Sequence, residues 1–270
     1  MEKYIFTDLA CEISGDRKEE SEFISDRIEK KFFYRVADGQ ERRHVTFFTP
    51  RIWLLEDNEY DLLKCAIAEE LRVFLNRCVK GGKRGRILAV GLGNPRLTPD
   101  SLGALTVERL QVSPPTEEDG GFMAITPDVS GNTGIDTLDA VSAYVEGLRP
   151  DAVIAIDSLR ARGYERLAST VQLSDGGIAP GGGVGRGGGR LSESTLGVPI
   201  ISIGVPTVVS ASTIVYDALS RWGEPLELAD KKSILSVLDG GRELFVMPKE
   251  ADILIKWAAL LLSDAINLSM

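Results

Sequence analysis

The stretch GIDTLDAVSAYVEGLRPDAVIAIDSL, residues 134–159, contains a helical pattern followed at once by an apolar run. Its apolar residues in the first half are Leu138, Val141, Val145 and Leu148. Their spacing predicts one buried face of a helix. The run AVIAI, residues 152–156, has the length and composition of a buried strand. A helix that leads into a fully apolar strand is typical of a parallel sheet with helices on both faces.

Short apolar runs alternate with helical patterns over most of the remaining chain. The predicted strands are RILAV at 86–90, FMAIT at 122–126, TVQLS at 170–174 and PIISIGV at 199–205. A last helix is predicted at 249–268, and two strands around the turn Asp38-Gly39 predict a hairpin at 31–48. We therefore predict an α/β fold, a three-layer α/β/α sandwich with a mostly parallel central sheet and an N-terminal hairpin.

Composition and charge limit the classes of partner. The chain has 270 residues and a net charge of −9, which argues against nucleic acid as a partner because phosphate binding needs clustered cations. Its longest apolar run is WAALLL at 257–262, so we expect no membrane span. Met1 to Leu9 lack the apolar core of a signal peptide, and the three cysteines form no CxxC pair. We therefore expect a cytoplasmic protein.

Several common chemistries lack the residues they require. His44 is the one histidine of the chain, and GxSxG, HExxH and CxxC motifs are absent, so we expect neither a serine nucleophile, a metal nor another cofactor. The run GLGN at 91–94 follows a strand, as a nucleotide loop would, but it is not GxGxxG. A phosphate- or nucleotide-binding module on this fold remains an alternative.

Two carboxylates follow predicted strands. Asp100 comes shortly after RILAVGLGN, and Asp157 directly follows AVIAI. Each has an ordinary structural explanation, because Asp in a first helical turn favours the helix dipole and Asp caps helices well. Together, at one edge of a sheet, two carboxylates can share a proton, so that one activates water while the other protonates a carbonyl.

Four ordered blocks carry a resemblance to a known family. They are GLGNPRLTPDSLGALTVERL at 91–110, GNTGIDTLDAVSAYVEGLRPDAVIAIDSL at 131–159, RGYERLASTVQLSDGGIAPGGGVG at 162–185 and TLGVPIISIGVPTVV at 195–209. This region resembles the germination proteases of spore-forming bacteria. The resemblance implies a three-layer α/β/α sandwich and an atypical aspartic endopeptidase that degrades small acid-soluble spore proteins in the spore core. It also implies a homotetramer made as a zymogen.

The resemblance also assigns residues. The family's two proposed catalytic aspartates fall in TPD and AID motifs, which here end at Asp100 and Asp157. The substrate motif of the family has the form T-E-[FI]-A-x-E-[FI], cut after its first acidic residue, and TDLACEI at 7–13 is similar to it. The resemblance therefore implies processing between Asp8 and Leu9, with residues 1–8 as a propeptide-like tail and 9–270 as a single peptidase domain.

Some positions depart from the family pattern. Ala104 stands where the family has proline, and the segment at 215–248 is shorter than usual. At the end of the glycine-rich segment 176–190, residues 185–190 read GRGGGR where the family has GNKRKE. We expect the whole segment to be a mobile lid rather than a phosphate cradle. A hydrogenase-maturation-like peptidase remains an alternative reading, although such enzymes commonly place histidine near the site.

Overall fold

The computed structural model describes residues 6–13, 19–37, 39–79, 85–116, 120–180, 189–220, 233–234, 236–238, 240 and 244–270. Within these ranges, every helix is too short or too polar to cross a bilayer.

Nine strands form one sheet in the described part of the chain. They are β1 (Glu19–Ser25), β2 (Ile28–Ala37), β3 (Gln40–Phe48), β4 (Ile87–Gly91), β5 (Phe122–Ile125), β6 (Ala152–Ala161), β7 (Thr170–Ser174), β8 (Ile200–Ser210) and β9 (Phe245–Val246). Their order is β1-β2-β3-β7-β8-β6-β4-β5, and β9 pairs with the far end of β8. The predicted N-terminal hairpin is confirmed as β2 and β3.

The sheet has a parallel half and an antiparallel half. Strands β8, β6, β4 and β5 run parallel, as the alternation of strands and helices predicted. Strands β1, β2, β3 and β7 pair antiparallel with one another, and β7 joins β8 antiparallel. The predicted α/β class is confirmed, with parallel pairing confined to the four-strand half. That half carries both predicted catalytic aspartates.

Besides helical residues at 233–234, 236–238 and 240, seven α-helices surround the sheet in the described residues. They are α1 (Asp57–Cys78), α2 (Leu102–Val107), α3 (Ser130–Thr133), α4 (Thr137–Leu148), α5 (Glu193–Leu196), α6 (Ala211–Ser220) and α7 (Ala251–Ser269). Short 3₁₀ turns occupy Ala10–Glu12, Ile52–Leu54, Thr98–Asp100 and Tyr164–Arg166. The Asp136 side chain caps α4 by accepting from the N–H of Leu138, as expected for an N-terminal Asp.

Two hydrophobic clusters, one on each face of the sheet, make the three layers. On one face, α1 and α7 pack against alternating strand residues such as Ile154 and Ile156 of β6. On the other face, Val141 and Val145 of α4 pack against Val153 and Ala155 of the same strand. The second cluster also contains Leu9, which is fully buried. The N-terminal segment is therefore part of the packed face that carries the candidate site.

Candidate active site

Asp157 lies inside β6 where its neighbour β4 has ended. The pairing of β4 with β6 stops at Gly91 and Ile156, whereas β6 continues along β8. Asp157 is 4% exposed, and its Oδ1 accepts from the N–H of Ser158 at 2.8 Å. Burial raises the pKa of the Asp157 carboxyl well above its ordinary value, and the negative charges of Asp100 and Asp8 raise it further.

Asp100 is placed by the loop that leaves β4. The backbone of Gly93 has a φ of +92°, and a Cβ there would lie 2.1 Å from the Asp100 carbonyl oxygen, so glycine is required for this approach. The N–H of Asn94 donates to Asp100 Oδ2 at 2.8 Å. From β8, the Thr207 hydroxyl donates to the carbonyl of Pro99 at 2.8 Å. These contacts fix the 3₁₀ turn that ends at Asp100.

The negative charge of Asp100 affects the pKa of Asp157. Burial raises the pKa of Asp100, while the N–H of Asn94 lowers it, and the charge of Asp100 is in turn a cause of the raised pKa of Asp157. Because the pKa of Asp157 is raised well above the ordinary value, this carboxyl holds a proton more readily than an ordinary aspartate. The arrangement can supply one protonated and one ionised carboxyl group.

The segment TDLACEI lies against the end of β6, beside this pair. The N–H of Asp8 donates to the carbonyl of Arg160 at 2.8 Å, and the N–H of Arg160 donates to Asp8 Oδ2 at 2.7 Å. Burial raises the pKa of Asp8, and the hydrogen bond and positive charge of Arg160 lower it. The first acidic residue of the segment is therefore bound at the main chain and at the side chain.

Glu12 is held by two backbone amides. The N–H of Arg162 donates to Glu12 Oε2 at 2.6 Å, and the N–H of Gly163 donates to Glu12 Oε1 at 2.9 Å. Between the two acidic residues, Leu9 is fully buried in the cluster beneath α4. The structure thus binds both acidic side chains and the apolar side chain of this segment.

The segment is extended only in part. Ala10–Glu12 form a 3₁₀ turn between the extended residues Leu9 and Ile13. This turn allows Glu12 to reach the amides at the end of β6 while Leu9 points into the core.

Sequence reasoning missed one polar residue that binds the segment. Gln172 of β7 donates from Nε2 to the carbonyl oxygen of Asp8 at 2.9 Å, and its Oε1 accepts from the N–H of Ala10 at 2.6 Å. The available signal was a lone amide side chain between Val171 and Leu173 in the strand TVQLS. Such a residue needs a hydrogen-bond partner when it is buried.

A cavity of about 200 Å³ adjoins the segment. Its lining includes Asp8, Gln172 and His44, together with Arg35 and Arg190. Burial and the charges of these two arginines lower the pKa of His44 to about 4, so the histidine is neutral at pH 7. In the described part of the chain, no group of three or more His, Cys, Asp or Glu side chains is arranged to hold a metal ion.

The two described ends of the glycine-rich segment border the same cavity. Ile178 and Leu191 exchange both backbone hydrogen bonds at 2.8 Å and so hold the two ends of the glycine-rich segment together. Ile178 and Arg190 contribute to the cavity lining. Residues 181–188 lie outside the described residues, so the lid remains a prediction.

Comparisons with known proteins converge on one family. A family model described as Germination protease matches residues 16–222. A germination protease of Clostridium acetobutylicum is 32% identical over 259 residues, which are 86% of this chain and 79% of that protein. A germination protease of Bacillus subtilis (strain 168) is 40% identical over 219 residues, which are 76% of this chain and 59% of that protein.

Other relatives match over a shorter region. A germination protease of Geobacillus sp. (strain WCH70) is 47% identical over 161 residues, 56% of this chain and 43% of that protein. The matched region thus spans about half the length of several relatives. Among solved structures, a [NiFe] hydrogenase maturation protease HycI from Thermococcus kodakarensis KOD1 gives a TM-score of 0.36 at 18% identity, covering 71% of this chain and 97% of that chain.

Proposed function

The chain belongs to the germination protease family, and from this we propose that it is an endopeptidase that degrades small acid-soluble spore proteins during germination. The single observation that carries the proposal is the buried Asp157, whose pKa is raised further by the charge of the half-buried Asp100, on the strand that binds an acidic peptide motif. The aspartic mechanism and the substrate are parts of the proposal.

The environments of the two aspartates suggest their roles. Asp157 is the more deeply buried and has the more strongly raised pKa, so we assign it as the general acid. Asp100 accepts from the N–H of Asn94, which favours its ionised form, so we assign it as the base that takes a proton from water. The water oxygen then adds to the carbonyl carbon of the substrate.

The N-terminal segment supports synthesis as a self-processing zymogen. Asp8, Leu9 and Glu12 each have a binding position around β6, and the charge of Asp8 acts on Asp157, as a tethered copy of the substrate motif would. We propose cleavage of the Asp8–Leu9 bond, which removes residues 1–8 and leaves a chain that begins at Leu9.

Conversion of each aspartate to asparagine tests the mechanism. Asp100→Asn and Asp157→Asn keep side-chain size but remove the titrating group, so both should abolish self-cleavage and cleavage of an added peptide that contains TDLACEI. The matched control is Asp252→Asn, on the exposed side of α7. Mass spectrometry of the N-terminus and peptide assays report the result. Near wild-type turnover in either folded site variant would contradict the dyad.

The family resemblance also implies a homotetramer in the spore core, with no nucleic acid or membrane as partner. We propose this assembly for the present chain, and light scattering of the purified protein gives its mass. A monomeric mass under conditions of full activity would contradict it.

A further inference from the structure

Asp157 and Gln172 occupy one row across three adjacent strands. Gly204 of β8 pairs with Asp157 of β6 on one side and with Gln172 of β7 on the other. Adjacent strands are about 4.8 Å apart, so the two backbones are separated by roughly 10 Å. Paired residues on neighbouring strands project toward the same face of a sheet.

The packing confirms that both side chains project toward the N-terminal segment. The neighbours of Gln172 along β7, Val171 and Leu173, belong to the cluster on the opposite face. Ala155, two residues before Asp157, belongs to the cluster that contains Leu9. The row therefore places an acid and an amide on the same face of the sheet as the Asp8–Leu9 peptide.

The Gln172 amide brackets the bond proposed to be cut. Nε2 donates to the carbonyl oxygen of Asp8, and Oε1 accepts from the N–H of Ala10, the second N–H after that carbonyl. A donor and an acceptor in these two places fix the orientation of the amide group. Gln172 is 7% exposed, so its hydrogen bonds face little competition from water.

We propose that Gln172 is a catalytic residue that stabilises the oxyanion formed on the carbonyl of the cleaved bond. This inference rests on the proposed function. When the water oxygen adds to the carbonyl carbon of Asp8, the carbonyl π electrons move to its oxygen and the water proton goes to the base. The Nε2–H of Gln172 already points at that oxygen. The C–N bond then breaks, the oxygen regains its double bond, and the acid protonates the nitrogen of Leu9.

The same contact serves substrates added in trans. It involves only main-chain atoms of the segment, a carbonyl oxygen and the N–H two residues later. Any peptide bound in this register with the same backbone conformation would present the same atoms. Gln172 therefore acts on the reacting bond, and the choice of side chains is left to the sites for Asp8, Leu9 and Glu12.

Two substitutions in the full chain separate catalysis from anchoring. Gln172→Met keeps the length of the side chain but loses the donor, so self-cleavage should slow about 10²- to 10³-fold, the usual cost of one oxyanion donor. Gln172→Glu lacks the donor when it is ionised and regains an O–H donor when it is protonated. Its rate relative to wild type should therefore recover as the pH falls, whereas that of Gln172→Met should not. Gln40→Met, on the exposed start of β3, is the control.

Hydrogen exchange of the amides at residues 7–13 completes the test. Slow cleavage with wild-type protection of these amides supports an oxyanion role. A Gln172→Met rate within about threefold of wild type overturns it, and so does loss of protection in both variants, which would make Gln172 an anchor. In either case, a wild-type chain that cuts at Asp8–Leu9 and an inactive Asp157→Asn chain would leave the proposed function intact. A wild-type chain that cuts neither itself nor the added peptide would overturn both.

Discussion

In the N-terminal segment TDLACEI, Glu12 has two backbone hydrogen-bond donors as partners. Both of its carboxylate oxygens accept from backbone amides, at Arg162 and Gly163. Backbone donors at the end of a strand are fixed in direction, so they select a group with two acceptor oxygens at one place. We interpret this pair of amides as the site for the second acidic residue of a substrate motif.

Removal of one acceptor at this site should weaken docking of the segment. In Glu12→Gln, an NH₂ group replaces one oxygen and leaves one backbone N–H without a partner, at a cost of about 1–3 kcal/mol. We expect self-cleavage to slow by roughly 5- to 100-fold and the amides of residues 9–13 to exchange faster. Glu20→Gln, an exposed change on β1, is the control. Unchanged rate and protection in Glu12→Gln would show that the amide pair does not hold the segment in place.

Single residues also mark the limit of sequence reasoning. Asp100 and Asp157 could be singled out because each follows an apolar run in a parallel arrangement, and parallel strands bring their carboxyl ends to one edge. Gln172 could not, because its role depends on the pairing of β7 with β8, which no local pattern specifies. A buried amide in a strand indicates a need for a partner, and only the fold supplies its identity.

At the scale of elements, the strands were predicted well and their directions only in part. A fully buried apolar run indicates a strand with both faces covered, but it carries no information on direction. Strand β7 is buried throughout, as a parallel strand would be, yet it pairs antiparallel with both neighbours. The TPD motif at Thr98–Asp100 forms a 3₁₀ turn, and α2 begins only at Leu102. A hydrogen bond from Thr207 of β8 helps to hold that turn, and this contact is invisible in local sequence.

Gly204 of β8, which pairs with both Asp157 and Gln172, has no room for a larger side chain. A Cβ at Gly204 would lie 2.4 Å from the Asp157 carbonyl oxygen and 2.7 Å from Leu159 Cγ. We expect Gly204→Ala to destabilise the fold by about 1–3 kcal/mol and to reduce cleavage, because the strands must separate. Gly147→Ala is the matched control, since a Cβ in that part of α4 meets no atom within 4 Å. It should stabilise the protein by about 0.5–1 kcal/mol.

Urea unfolding of both glycine variants gives the two free energies. If Gly204→Ala were as stable and active as the wild type, the strand spacing that sets the distance between acid and amide would not be critical.

For the whole molecule, the buried carboxyl groups couple stability to pH. The folded-state pKa of Asp157 is raised, so the folded state holds its proton to higher pH than the unfolded chain does. The stabilisation from this proton is present in full below the unfolded pKa of about 3.9 and is lost as pH rises through the folded value. Acid conditions therefore favour the folded state at this group.

Asp157→Asn should remove this contribution to the pH dependence of stability. Because asparagine carries no charge, the variant should unfold at a higher temperature than the wild type at pH 7 to 8, by the equivalent of about 1–3 kcal/mol. The difference should shrink as pH falls toward 4. Thermal unfolding across this range, with Asp252→Asn as the control, gives the comparison. A variant that is less stable than the wild type at pH 8 would show that Asp157 makes favourable contacts in its ionised form.

The burial of Leu9 would make cleavage of the Asp8–Leu9 bond irreversible. While the Asp8–Leu9 bond is intact, the Leu9 nitrogen is an uncharged N–H that donates to the Thr7 hydroxyl at 3.0 Å, next to the buried Leu9 side chain. Hydrolysis would turn that nitrogen into an ammonium ion, which the cluster cannot solvate, and would release the acidic residue that repels Asp157. The new terminus would then leave its pocket or pair with the aspartates as a plug. The segment would thus be cut once and could not bind again in its original form.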